Sequence, residues 1–120
     1  MKKQIESFRD LEVWQRSMDL ADLVYQETRR IPREEFDLRR QIRKAAVSIP
    51  ANVAEGYRRK RQQAYQNHVS IALGSQGELE TELEIAFRNK FLSRSACEQL
   101  TLLLDRVGAM LYRLHESLER

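Results

Sequence analysis

The chain has 120 residues, 42% of them hydrophobic, with four glycines, two prolines and a single cysteine. A chain of this length buries a core without staples, and the lone Cys97 excludes an internal disulfide and fits a reducing compartment. The net charge of +3 is concentrated: residues 29–61 hold eleven Lys or Arg against four Asp or Glu, a local +7, while residues 1–28 and 62–120 each come to −2, which favours a polyanion-facing surface over a uniform solubilising coat. The two lysines between Met1 and Phe8 have no apolar run behind them, as a signal peptide would, and no stretch approaches the roughly 20 apolar residues of a membrane span. A cytoplasmic, single-domain protein over residues 1–120, without membrane contact, is expected.

From Asp10 to about Arg30, Leu11, Trp14, Met18, Ala21 and Tyr25 repeat at three-four spacing, flanked by Val13, Leu20 and Val24, so the pattern predicts a helix capped by Asp10 and closed by Ile31-Pro32. A second helix starts near Glu34 with the stripe Leu38, Ile42, Ala45, Ile49 and Val53 and runs to about Tyr57. A third spans about Gln62 to Phe87, on Tyr65, Val69, Ala72, Leu79, Leu83 and Ala86, with Gln76 as a polar interruption. Gly74 and Gly77 within it cost about 1 kcal/mol each relative to Ala, and close helix–helix approach at Gly74 and Ser75 is the expected compensation. The fourth begins at Ser93 or Ser95 and carries Ala96, Leu100, Leu103, Val107, Met110 and Leu114, widened by Leu104, Leu111 and Leu118. Four such helices with short connections make an all-α, up-down-up-down antiparallel four-helix bundle. Helices 1 and 4 have stripes wide enough for burial in an oligomer as well as in the core.

Residues 48–56, Ser-Ile-Pro-Ala-Asn-Val-Ala-Glu-Gly, interrupt the second helix. An interior proline removes one backbone hydrogen bond and clashes with the carbonyl four residues earlier, at about 3 kcal/mol, so either two helices meet at Pro50 or one helix kinks there. Ser48 and Asn52 straddle Pro50 and are placed to satisfy the backbone groups it leaves open, with direct ligand contact as the other reading. Asn52 and Gly56 fall where larger apolar residues belong, so the segment suits close packing.

The run Gln41 to Gly56 resembles the signature of a bacterial four-helix bundle family, the 23S rRNA intervening-sequence proteins, of which the accessory variability protein of diversity-generating retroelements is a relative. Ile71-Ala72-Leu73-Gly74-Ser75 with Glu78-Leu79-Glu80-Thr81, and Phe8-Arg9-Asp10-Leu11-Glu12-Val13-Trp14, match it too, in the expected order. The resemblance implies a kinked second helix, an antiparallel bundle and a homopentameric ring. For the retroelement relative it implies binding of nucleic acid and of a reverse transcriptase. It implies no catalysis. His68, where the family tends to have a bulky apolar residue, and Glu82, where glutamine is common, depart from the pattern.

The basic segment is the main functional candidate. Arg39 with Arg43, and Arg40 with Lys44, share helix faces outside the apolar stripe, and Arg58, Arg59, Lys60 and Arg61 cluster at the helix 2–3 junction. Such clusters bind phosphate with release of counterions, or else form solvated faces paired with Glu34, Glu35, Asp37 or helix 3 carboxylates. Tyr57 and Tyr65 are the aromatic residues read as close to the cluster, which argues weakly for base stacking. Glu78, Glu80, Glu82 and Glu84 fall on two stripes without the Glu-x-x-His pairs of a di-metal site, so no metal and no cofactor is expected. Trp14 reads as a core or interface anchor and His68 as a packing residue, although Arg61 and His68, with six residues between, are similar to the motif of the HEPN ribonucleases. The leading expectation is a non-enzymatic homo-oligomer that binds RNA or DNA backbone through helix 2 and the helix 2–3 junction. An assembly or adaptor module is the alternative, and a ribonuclease the distant third.

Overall fold

The computed structural model describes residues 4–119. Among them are four helices and no strand: α1 (Glu12–Thr28), α2 (Phe36–Arg59), α3 (Gln62–Arg88) and α4 (Arg94–Ser117). Short 3-10 turns at Phe8–Asp10 and Arg33–Glu35 lead into α1 and α2.

Helix α1 starts later than its expected cap. Asp10 instead closes the preceding turn, where its Oδ2 accepts from the backbone N–H of Glu6 at 2.9 Å and of Ser7 at 3.1 Å. The buried face of α1 is Val13, Ser17, Leu20, Ala21, Val24 and Thr28, one position away from the expected stripe. Met18 and Tyr25 are exposed as a result. The displaced face is possible because its two hydroxyls bond back to their own helix, Ser17 Oγ to the Trp14 carbonyl at 3.0 Å and Thr28 Oγ1 to the Val24 carbonyl at 2.6 Å. A buried hydroxyl satisfied this way needs no partner from another helix. Trp14 is half-buried at the edge of the core, its ring edge-on to Phe8 at 5.2 Å.

Helix α2 buries Ile42, Ala45, Ala46, Ile49 and Val53 as its pattern requires, and it continues through Pro50 without a break. Of the two readings of that proline, the meeting of two helices is thereby excluded. Gly56 is the close-approach point, since a Cβ there would lie 2.9 Å from His68 Cβ and 2.9 Å from Tyr65 Cδ1. Lys60 then turns the chain in a left-handed conformation, φ 61°, and α3 starts two residues later.

Helix α3 buries Val69, Ala72, Leu79, Leu83 and Ala86, plus Ser75. Gly74 is not a close-contact point within the chain: a Cβ there meets nothing within 4 Å, and the same holds at Gly77. The second close approach is at Gly108 of α4, whose missing side chain leaves room for Gln76. Gln76 Nε2 donates to the Leu104 carbonyl at 3.4 Å, so the polar interruption of the α3 stripe is accommodated by a glycine across the interface.

Helix α4 is capped by Ser93, whose Oγ accepts from the Ala96 N–H at 3.0 Å. It buries Ala96, Leu100 and Val107 as expected, but Leu104 and Leu111 lie at the centre of the face while Leu103, Met110 and Leu114 sit at its margin. Residues early in one helix meet residues late in the next: Phe8 lies by Arg58, Asn52 by His68, and Gln62 by Leu118. The helices therefore run up-down-up-down, with α2–α3 the most extensive pairing and α1–α4 closing the square.

Candidate nucleic-acid interface

The eight cations singled out by the sequence fall into two groups: Arg39, Arg40, Arg43 and Lys44 on α2 beside α1, and Arg58, Arg59, Lys60 and Arg61 at the α2–α3 junction. Arg40, Lys44, Val47, Ala51, Ala54 and Arg58 recur at alternating four- and three-residue steps, which places them on one helix face. Lys44 and Arg58 are about 21 Å apart along that face at 1.5 Å per residue. The first group lines a surface groove of about 590 Å³ between α1 and α2, formed by Tyr25, Phe36, Arg39, Arg40, Arg43, Lys44 and Val47. Four of these seven residues are cations and none is acidic.

The four do different work. Arg43 ties α2 to α1: its Nε donates to Thr28 Oγ1 at 3.0 Å, another guanidinium N–H donates to the Tyr25 carbonyl at 3.2 Å, and Cζ stands 4.5 Å from the Tyr25 ring centroid. Arg39 donates to the Ile31 carbonyl at 3.1 Å and closes the α1–α2 connection. Both line the groove wall while serving the fold. Arg40 pairs with Asp37 at 2.7 Å, an exposed contact whose main effect is to hold the Asp37 carboxyl below its ordinary value, with a smaller contribution from Gln41. Lys44 is exposed and forms no ion pair among the described residues.

At the second group, Arg58 lies over the Phe8 ring at 5.5 Å, and Arg59 pairs with Glu55 at 2.7 Å, lowering the Glu55 carboxyl. Lys60 and Arg61 are exposed, and among the described residues neither is ion-paired. Arg58 and Arg59 border a shallower groove with Phe8, Ala51, Ala54 and Glu55. Exposed pairs of this kind contribute at most about 1 kcal/mol and open easily to a phosphate.

The two tyrosines near the junction do not present a stacking surface. Tyr57 and Tyr65 pack edge to face on each other, centroids 6.2 Å apart, and burial pushes the Tyr65 phenol up. The exposed rings beside the cations are instead Phe36 and Tyr25, 61% and 41% exposed. Neither was identified from sequence: Tyr25 was assigned to the core stripe, and Phe36 is the first residue of α2, ahead of the periodic pattern.

Pro50 is flanked by a polar chain that crosses to α3. Asn52 Nδ2 donates to the Ser48 carbonyl at 2.9 Å and lies 3.1 Å from Ser48 Oγ, which shares a 2.7 Å hydrogen bond with Ser75 Oγ. Asn52 Oδ1 accepts from His68 Nδ1 at 3.0 Å. The Asn52 amide thus bonds the Ser48 carbonyl and not that of Ala46, the residue four before Pro50. Ser48 and Asn52 serve chiefly to join α2 to α3.

A bundle of four antiparallel helices whose second helix is strongly basic on its outer side defines the class of the molecule. The family model of the 23S rRNA-intervening sequence protein matches residues 9–113, and the chain belongs to that family. It is similar in structure to a protein of unknown function of the S23 ribosomal protein family from Bacteroides thetaiotaomicron VPI-5482, with a TM-score of 0.82 and 22% sequence identity over 88% of this chain and 96% of that one. At that identity the likeness speaks for the fold alone. No curated protein matches the chain.

Proposed function

We propose that this protein is a non-enzymatic, homo-oligomeric bundle that binds the phosphate backbone of RNA or DNA along the outer side of α2. The observation that carries this reading is the α1–α2 groove, walled by Arg39, Arg40, Arg43 and Lys44 without an acidic lining residue. Arg58, Lys60 and Arg61 continue the positive surface to the α2–α3 junction. Phosphate neutralises like charges crowded on one helix and releases counterions, so affinity should fall steeply with salt.

The test is a salt-titrated binding assay on labelled RNA and DNA, with Arg40, Lys44, Arg58 and Arg61 all reversed to Glu. Arg39 and Arg43 stay in place because they hold α2 to α1. The folded variant is expected to lose binding to both polymers and the associated salt slope. Unchanged binding sinks the reading. The alternative, an assembly module that ignores nucleic acid, draws on the pairing of Arg40 with Asp37 and Arg59 with Glu55. It requires that the wild-type protein fail to bind either polymer at physiological salt.

A further inference from the structure

Phe36 is the feature of the basic groove that phosphate binding leaves unused. It is 61% exposed, although a Phe side chain gains about 1.5–3 kcal/mol from full burial. No ring and no cation of the described residues stacks on it, whereas Tyr25 across the groove is already covered on one side by the Arg43 guanidinium. Its position is set by α2 itself. Phe36, Arg40 and Lys44 follow at intervals of four residues, so a bare ring and two cations stand at successive turns of one face. Val47, 45% exposed, extends the apolar part of the same surface.

From this arrangement we infer that the α1–α2 groove takes single-stranded nucleic acid, with an unstacked base lying on the Phe36 ring and the adjoining phosphates on Arg40 and Lys44. The inference rests on the nucleic-acid reading above and narrows its substrate. In a duplex the base faces are occupied by their neighbours, so a phenyl ring on a helix surface finds nothing to stack on. A single strand offers a free face at every nucleotide, and an aromatic platform beside a cationic track is the common way to hold one without reading its sequence. The exposed ring then has a partner of its own size, Lys44 gains a counter-charge, and a phosphate competes with Asp37 for the exposed Arg40.

The experiment is fluorescence anisotropy with the full chain and four probes: an unstructured single strand of RNA, the same strand as DNA, and the duplex of each. Wild-type protein is expected to bind both single strands more tightly than either duplex. Phe36→Ala, at an exposed position, is expected to keep its thermal melt and to weaken single-strand binding by roughly 5- to 150-fold while duplex binding and the salt slope stay the same. Phe36→Trp is expected to hold or improve single-strand affinity. A tighter RNA than DNA arm assigns a contact to the 2′-hydroxyl; equal arms assign the site to base and phosphate alone, and either result is consistent with the inference. If Phe36→Ala binds single strands like wild type, or loses single strand and duplex equally, the stacking inference is overturned and phosphate binding stands. If the wild type binds none of the four probes, both fall together.

Discussion

Glu82 shows at the level of one side chain how a partly buried carboxyl is felt. It lies on the edge of α3 facing a small cleft with Gln41, Lys44, Ser48, Ser75 and Glu78. Its Oε1 is shielded from solvent without a protein hydrogen-bond partner. Burial, and to a lesser extent the charge of Glu78 four residues earlier, raises its carboxyl above the ordinary value of 4.5. A carboxyl raised in the fold holds its proton more tightly there than in the unfolded chain. Its contribution to stability is therefore fully present below 4.5 and is lost as the pH rises through the raised value, leaving an ionised group disfavoured at neutrality. Glu82→Gln is expected to raise the urea midpoint at about pH 7 and to give little or no gain at about pH 4. A gain of equal size at both would mean that packing, not charge, is responsible. His68, a second polar group at a helix interface, is absorbed differently. Its Nδ1 donates to Asn52 Oδ1 at 3.0 Å, so a polar ring at an apolar position is met by a polar partner from α2.

At the scale of elements, the ends of the helices carry the local strain. Helix α3 terminates with the Phe91 N–H on the Ala86 carbonyl at 2.9 Å and the Lys90 N–H on the Phe87 carbonyl at 3.0 Å, the paired bonds of a Schellman ending. The left-handed position of that ending is occupied by Lys90, φ 66°, where glycine is the usual residue. A side chain in this region costs about 1–2 kcal/mol, so Lys90→Gly is expected to stabilise the protein by up to about 1 kcal/mol after the larger chain entropy of glycine is counted. Thermal or urea unfolding checks it, and a destabilised variant would show that the Lys90 side chain contributes more than its backbone costs. Neither left-handed lysine was legible in the sequence, because lysine carries no turn signal. The helices themselves were legible, since Pro32, Ser93 and the apolar periods of α2 to α4 mark their bounds within a few residues. The face of α1 was missed because two of its buried positions, Ser17 and Thr28, are polar by type and satisfied only by bonds back to their own helix. Gln76 looked like a defect in α3 until its counterpart, Gly108 on α4, was placed opposite it. Within the candidate site the cations were named from local charge, the four-residue spacing of Arg39 with Arg43 and Arg40 with Lys44, and the run Arg58 to Arg61. Their division into structural ties (Arg39, Arg43) and available charges (Lys44, Arg61) depends on α1, which no local pattern in α2 reveals.

Over the whole molecule, charge and small residues divide the surface of the bundle. The α1–α2 groove is lined by four cations, whereas the groove between α3 and α4, on the opposite side, is lined by Glu84, Glu98 and Asp105 against the one cation Arg94. A polyanion approaching this molecule is drawn to one side and repelled from the other, which a net charge of +3 conceals. The outward face of α3 is of a third kind. Ile71, Gly74, Glu78, Thr81 and Ile85 recur along it at three-four spacing, with Ile71 52% and Ile85 45% exposed. Gly74 there costs about 1 kcal/mol of helix propensity and meets nothing within its own chain. For the homo-oligomer proposed above, we propose that a helix of a second copy packs along this seam, where Gly74 leaves open space for a close approach. Gly74→Leu separates the two roles. In the isolated subunit it replaces a poor helix former with a good one in open space, so circular dichroism is expected to show an intact fold of equal or greater helicity. If copies pack at this seam, the larger side chain fills the gap between them, so native mass spectrometry is expected to show an assembly mass for the wild type and the subunit mass for the variant. An unchanged assembly mass in the variant would place the contact between copies on another face of the bundle.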